Sequence, residues 1–164
     1  MARKKFVGNL AGIAHLPFSS REFLACLDAS RDRKRKKDIV FRTYMSFDFI
    51  VDGKAINFTS NKAKELLALL VAHAGGTLEM KEAIARLWPG KEEDLAKRLY
   101  RAAVNGLRGW LRPLDLADMV EWGRGRLRLD TTGANCTYWL DLKNKHPIPD
   151  TFLLNYPWGK DFLK

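Results

Sequence analysis

The sequence has 164 residues, of which 46% are hydrophobic, so it is long enough for one well-packed main domain with short flanking segments. Its formal net charge of +10 at pH 7 indicates a polyanionic partner, either nucleic acid or an anionic membrane surface. No apolar run reaches the roughly 20 residues of a membrane-spanning helix, and no signal-peptide core follows the basic start MARKK, so we expect a cytoplasmic protein without a membrane partner.

Residues 1–38 are predicted to be a segment separate from the main domain. The stretch GIAHLPFSSREFLACL is typical of a short strand, a proline turn and a helix with a narrow apolar stripe. The run RDRKRKKD follows and contains six basic residues, which interrupt the apolar pattern. We interpret this run as a basic linker that would add affinity for a polyanion through counterion release, without sequence information. A solvated linker is the alternative.

An antiparallel sheet is predicted at the start of the main domain. Apolar residues recur at every second position from residue 41 to residue 51, as in one extended strand or a bent pair of strands. Asp52-Gly53 predicts a tight hairpin turn, and KAINF is the predicted return strand. The positions predicted to face the core are Phe41, Thr43, Met45, Phe47, Phe49, Val51, Ile56 and Phe58.

Two helices are predicted next. Thr59 or Ser60 would cap the first, which carries leucines at helical spacing and stops at Gly75-Gly76. A short extended piece at Thr77-Leu78 leads into the second helix, MKEAIARLW, which Pro89-Gly90 terminates.

A long amphipathic helix is predicted over residues 92–112. At about 100° per residue, one face is apolar and the opposite face is basic, without a carboxylate along it. Arginine and asparagine are the side chains that read guanine and adenine edges, so we interpret this as a DNA-reading helix. A merely solvated face is the alternative, but its charges would alternate in sign four residues apart. The predicted core face comprises Leu95, Leu99, Ala102, Ala103, Gly106 and Trp110, with Leu107 at its margin, and the predicted DNA-binding residues are Lys97, Arg98, Arg101, Asn105, Arg108 and Arg112.

A glycine-tipped hairpin and an aromatic tail complete the chain. DMVEW and RLRLD are the predicted strands, and Arg124 lies in the turn between them, with Arg126 just after it. Both arginines are candidates for a minor groove, the alternative being a solvent-facing tip. The tail at residues 144–164 is too apolar to remain in water, so we expect it to pack on its own domain or to form a subunit contact.

The order of these elements resembles the winged helix-turn-helix of the OmpR/PhoB response-regulator family. The matching segments are FTSNKAKELLALLVAHAGG, ARLWPG, VNGLRGWLR and GRGRLRL, and ANCTYWLDL is closest to the SARP type of regulator. HLPFSSREFLACL is similar to the end of a receiver domain, although the phosphoacceptor pocket of a receiver is absent. The resemblance implies an α+β fold with an N-terminal antiparallel β-sheet and a C-terminal β-hairpin wing, within a winged-helix domain at residues 39–143.

The same resemblance implies sequence-specific binding of double-stranded DNA by a transcriptional regulator. The helix at residues 92–112 would enter the major groove and the wing at residues 123–126 the minor groove. Homodimers on repeated half-sites and contact with RNA polymerase are further expectations, and no cofactor is expected. The alternative is an RNA-binding or protein-interaction winged helix without operator specificity.

Catalysis is the class of function that the sequence supports least. Phosphate-loop, H-E-x-x-H and G-x-S-x-G motifs are absent from the sequence. Cys26 and Cys136 are far apart, and the three histidines have no neighbours at the spacing of metal ligands, so no metal site is expected. A nuclease built from the dispersed carboxylates is the remaining enzymatic alternative, namely Asp48, Asp52, Glu82 and Asp94.

Overall fold

Alternating aromatic residues build the first sheet. The computed structural model describes residues 37–163, and the predicted receiver-like helix and most of the basic linker lie outside this range. Strands β1 (Ile39–Arg42) and β2 (Asp48–Val51) pair antiparallel, with Phe41 opposite Phe49 in the core. Asp52 and Gly53 both have positive φ, as a tight hairpin turn requires, and they lead into β3 (Lys54–Ala55).

Two expectations for this sheet were wrong. Met45 is 61% exposed, because the chain turns between β1 and β2 and Met45 adopts a φ of +75° there, so the alternation of sides is interrupted. The sheet is also mixed rather than antiparallel, because β7 (Ala134–Cys136) joins β1 in parallel and gives the order β3-β2-β1-β7. Because β7 lies far from β1 in the sequence, the residues around β1 contain no pattern that would predict this parallel pairing.

Three helices share one hydrophobic core with residues of both sheets. Helix α1 (Asn61–Ala72) begins after Ser60, whose hydroxyl accepts a hydrogen bond from the Ala63 N–H at 3.2 Å. It contacts both α2 (Met80–Leu87) and α3 (Glu93–Leu111). Residues 65–72 are buried on every side rather than along one stripe, since α1 is the centre of the core. No helix within residues 37–163 is both long and apolar enough to cross a membrane.

The second sheet contains the predicted hairpin. A 3₁₀ turn at Ala117–Met119 occupies the beginning of the predicted strand DMVEW, so pairing starts only at Val120. The sheet is antiparallel with the order β4-β6-β5, and β7 and helix α4 follow it along the chain. Together the sheets and helices make an α+β fold. The remaining bounds are β4 (Thr77–Glu79), β5 (Val120–Gly123), β6 (Arg126–Leu129) and α4 (Thr137–Asn144).

The aromatic tail packs on its own chain. Phe152 and Leu153 are buried, and the Leu153 N–H donates a 2.7 Å hydrogen bond to the Thr43 carbonyl beside β1. Trp158 is 5% exposed, and its indole N–H donates to the buried carboxylate of Glu65 on α1 at 2.9 Å. The first of the two alternatives for the tail, packing on its own domain, is therefore what the structure shows.

Gly159→Ala is expected to destabilise this tail by about 1–3 kcal/mol, the range for overpacking. A Cβ at this position would lie 2.7 Å from the Leu153 carbonyl oxygen and 3.0 Å from that of Phe152, so the backbone would have to move. Thermal unfolding measures the effect. Gly109→Ala is the control, because a Cβ there meets nothing within 4 Å and alanine is the better helix former. Equal unfolding temperatures for the two variants would contradict the expectation.

Candidate nucleic-acid interface

Helix α3 has the bounds expected for the long basic helix. The Glu92 side chain caps it by accepting a hydrogen bond from the Leu95 N–H at 2.8 Å. Glu93 and Asp94 occupy the first turn, where a negative charge suits the positive end of the helix dipole. Arg112 forms the C-terminal cap. The acidic residues of α3 therefore all lie at its N-terminal end.

The buried face of α3 is rotated by about one residue position from the predicted face. Leu95 is 37% exposed and Ala102 is exposed, whereas Tyr100, predicted to lie outside the core face, is only 4% exposed. Small or apolar residues cover more than half of the circumference, so periodicity alone does not determine which of them faces inward. The packing of α1 and α2 decides it. The buried residues are Ala96, Tyr100, Ala103, Leu107 and Leu111.

The arginines of the described region fall into two groups. Three of them form salt bridges with carboxylates, namely Arg42 with Asp48, Arg128 with Glu121, and Arg86 with Glu82 and Asp161. The other six have no carboxylate partner within residues 37–163, and all six lie on α3 or on the β5–β6 hairpin. This second group comprises Arg98, Arg101, Arg108, Arg112, Arg124 and Arg126.

Lys97 differs from these six arginines. Its Nζ lies 2.8 Å from Glu93 Oε2, one turn earlier on the helix. The hydrogen bond from Lys97 lowers the pKa of Glu93, and the same bond raises the pKa of Lys97. The expectation that this face contains no pair of opposite charges four residues apart was therefore wrong at its first turn, and the unpaired positive charge begins beyond Lys97.

The hairpin tip is fastened to the start of α2. The Gly125 carbonyl accepts a hydrogen bond from the Met80 N–H at 2.9 Å, and Gly125 itself has a φ of +72°, which glycine adopts without strain. Arg124 lies at the tip and is exposed. Arg126 follows on β6 beside Gly123, where an added Cβ would come within 3.0 Å of the Arg126 side chain. Arg124 therefore projects from a fixed turn.

A groove of about 450 Å³ separates α3 from the hairpin. Its helix side carries Arg101, Asn105 and Arg108, and its hairpin side carries Arg124. Tyr100 also lines it, and burial raises the pKa of the Tyr100 phenol above its ordinary value. The structure thus brings together four of the predicted residues from two elements. It does not bring Lys97, Arg98, Arg112 or Arg126 into this groove.

Trp122 is the groove residue that the sequence interpretation missed. Its ring lies 4.6 Å from the Arg108 guanidinium carbon, and its indole N–H donates a 2.9 Å hydrogen bond to the Ala117 carbonyl. The available signal was its position, because Trp122 shares the inward face of β5 with Val120. By contrast, Tyr100 on the helix side of the groove is buried.

The net charge of residues 37–163 does not explain the positive surface on α3 and the hairpin. Residues 37–163 contain 19 lysines and arginines against 16 aspartates and glutamates, a net charge of +3. Most of the positive charge of the whole chain therefore lies in the other segments. What distinguishes the described region is the location of its unpaired arginines rather than their number.

Comparisons with known proteins show a likeness of fold. No protein-family model matches the chain, and no curated protein sequence matches it significantly. A solved structure, Mycobacterium tuberculosis EmbR in complex with low affinity phosphopeptide, is similar with a TM-score of 0.57 at 17% sequence identity. The similarity covers 78% of this chain and 41% of that one, so this chain spans less than half of the length of EmbR. At this identity the likeness concerns the arrangement of helices and sheets.

Proposed function

We propose that residues 39–143 are a winged-helix domain that binds double-stranded DNA sequence-specifically, as part of a transcriptional regulator. In this proposal α3 enters the major groove, and the β5–β6 hairpin is the wing that reaches an adjacent minor groove. Residues 144–164 are an extension that stabilises the domain, and the segment before residue 39 adds non-specific affinity. Pairing of two copies on repeated half-sites and contact with RNA polymerase belong to the same proposal, as the OmpR/PhoB resemblance implies.

The observation that carries the proposal is the distribution of the arginines. A folded protein gains little from leaving arginines without partners, and the arginines elsewhere in the described region form salt bridges with carboxylates. On α3 and the hairpin six arginines lack such partners within residues 37–163, so this surface is suited to an external polyanion.

The shape of this surface favours duplex DNA over an extended anionic surface. An α-helix fits the major groove, and a narrow arginine-tipped hairpin fits the minor groove beside it. Arg101 and Asn105 lie one helical turn apart on the exposed side of α3, which suits neighbouring base edges. Arg112, at the end of the helix, suits a phosphate.

Competition among nucleic acids tests the proposal. We expect duplex DNA selected from a random pool to displace a labelled probe at lower concentration than duplex RNA or single strands. Affinity for every duplex should fall with salt, and the selected sequence should keep its advantage over random duplex as salt rises.

Two results would contradict it. Equal affinity for all duplexes would indicate binding without operator specificity, and preference for RNA would support the alternative of an RNA-binding module. Incubation of the pure protein with plasmid and magnesium belongs in the same series, because cleavage would support the nuclease alternative.

A further inference from the structure

Arg108 is held differently from the other arginines of α3. Its guanidinium lies over the Trp122 ring, and its side chain is half-buried between the helix and β5. Arg98, Arg101 and Arg112 are exposed and have no aromatic ring beneath their guanidinium groups within the described part of the chain. A cation at this distance from an indole ring is attracted by the ring quadrupole, so Arg108 is restrained before any ligand arrives.

Trp122 is itself fixed on two sides. Its indole N–H donates to the Ala117 carbonyl at the 3₁₀ turn, and its backbone lies in β5 opposite Leu127 of β6. The orientation of the indole ring is therefore fixed by contacts that do not involve Arg108. Since Trp122 belongs to the hairpin and Arg108 to α3, their contact also links the two elements that line the groove.

We propose that Trp122 is a positioning residue of the DNA interface, which orients the Arg108 guanidinium on its indole face so that Arg108 meets a single DNA phosphate as an ordered donor. This inference rests on the proposed function. Arg108 has no carboxylate partner within residues 37–163, so its guanidinium N–H groups remain available for an anion and match a phosphate in a two-pronged geometry. An arginine that is ordered in advance also loses less side-chain entropy when it binds.

A double-mutant cycle tests the effect on DNA binding. Trp122→Leu is expected to weaken binding of a selected duplex about two- to fivefold, the range for a partly exposed cation–π contact. The same substitution in an Arg108→Ala background is expected to cost nothing further, because the residue that it positions is gone. Trp122→Phe, which keeps an aromatic face, should recover part of the loss.

A matched control separates positioning from general loss of stability. Trp110 is another half-buried tryptophan, on α3 itself, and its ring packs 5.3 Å from that of Phe58. Trp110→Leu should lower the unfolding temperature without energetic coupling to Arg108. If Trp122→Leu fails to fold, the cycle is carried out with Trp122→Phe, for which a smaller coupling is expected.

NMR of the free protein provides a readout that does not involve DNA. The Arg108 side-chain protons should show an upfield ring-current shift and slow guanidinium motion in the wild type, and both should disappear in Trp122→Leu but not in Trp110→Leu. Absence of the shift in the wild type would overturn the inference, as would an equal loss of affinity from Trp122→Leu in both backgrounds. A wild type that binds no duplex would overturn the proposed function, whereas binding without coupling would overturn only the role of Trp122.

Discussion

Trp158→Ala is expected to lower the free energy of unfolding by about 3–5 kcal/mol, the range for truncating a large buried aromatic residue. The side chain fills space between the tail and α1, and it donates a hydrogen bond to Glu65. After truncation the buried Glu65 carboxylate keeps Lys62 Nζ at 2.8 Å but loses its indole donor. A cavity and a poorly satisfied buried charge are therefore created together.

Denaturant unfolding of two variants separates these effects. Trp158→Phe retains most of the ring volume but not the N–H, so it should cost about 1–3 kcal/mol, the range for a lost partner of a buried polar group. Trp158→Ala should leave the oligomeric state unchanged, and it should leave the DNA affinity unchanged at a low temperature where the variant is folded. Loss of a dimer with an intact fold would instead favour a subunit contact for the tail. An unchanged unfolding free energy would contradict the role that we assign to Trp158.

Replacing Arg101 and Arg124 together by alanine is expected to reduce affinity for a selected duplex by roughly 30- to 20,000-fold if the two losses add. Each single substitution should cost about 1–3 kcal/mol, and every 1.4 kcal/mol is a factor of about ten in affinity. The two residues lie on opposite sides of the groove, one on α3 and one at the hairpin tip. Arg101→Ala should relax base preference at one position, and Arg124→Ala should remove preference for flanking A·T pairs.

Arg42→Ala combined with Lys54→Ala is the matched control. It removes the same formal charge from exposed positions on the first sheet, one of them the salt-bridge partner of Asp48, so it measures the effect of lowering the net charge away from the groove. We expect it to change affinity by much less than the groove variant. Equal losses for the two double variants would mean that the protein attracts DNA by net charge rather than through the groove. Binding selections repeated with each single variant then measure the change in base preference.

Local chemistry made several elements predictable. Asp52-Gly53 specifies a tight turn, because both positions need positive φ. Ser60 specifies a helix start, because its hydroxyl satisfies an N–H that the helix leaves free. The basic face of α3 could likewise be read from spacing, since charged side chains avoid the core in any orientation of the helix. These features depend on interactions within a few residues.

The rotation of α3 and the contents of the groove depend on distant residues. Tyr100 faces inward because the neighbouring helices leave space for it. The residues next to Tyr100 in the sequence do not indicate that this space exists. The contact between Arg108 and Trp122 joins a helix to a strand, and each residue alone is unremarkable in the sequence.

The sequence by itself determined the order of the elements from β1 to β6, the Asp52-Gly53 turn and the Ser60 cap, and the presence of an arginine-rich helix followed by an arginine-tipped hairpin. Only the tertiary structure decided that β7 joins β1 in parallel, which face of α3 is buried, and which of the predicted arginines share one groove. The physical reason is how far apart in the sequence the interacting residues lie. Hydrogen bonds of turns and caps are satisfied locally, whereas burial and groove geometry arise from packing between segments that the chain brings together only when it folds.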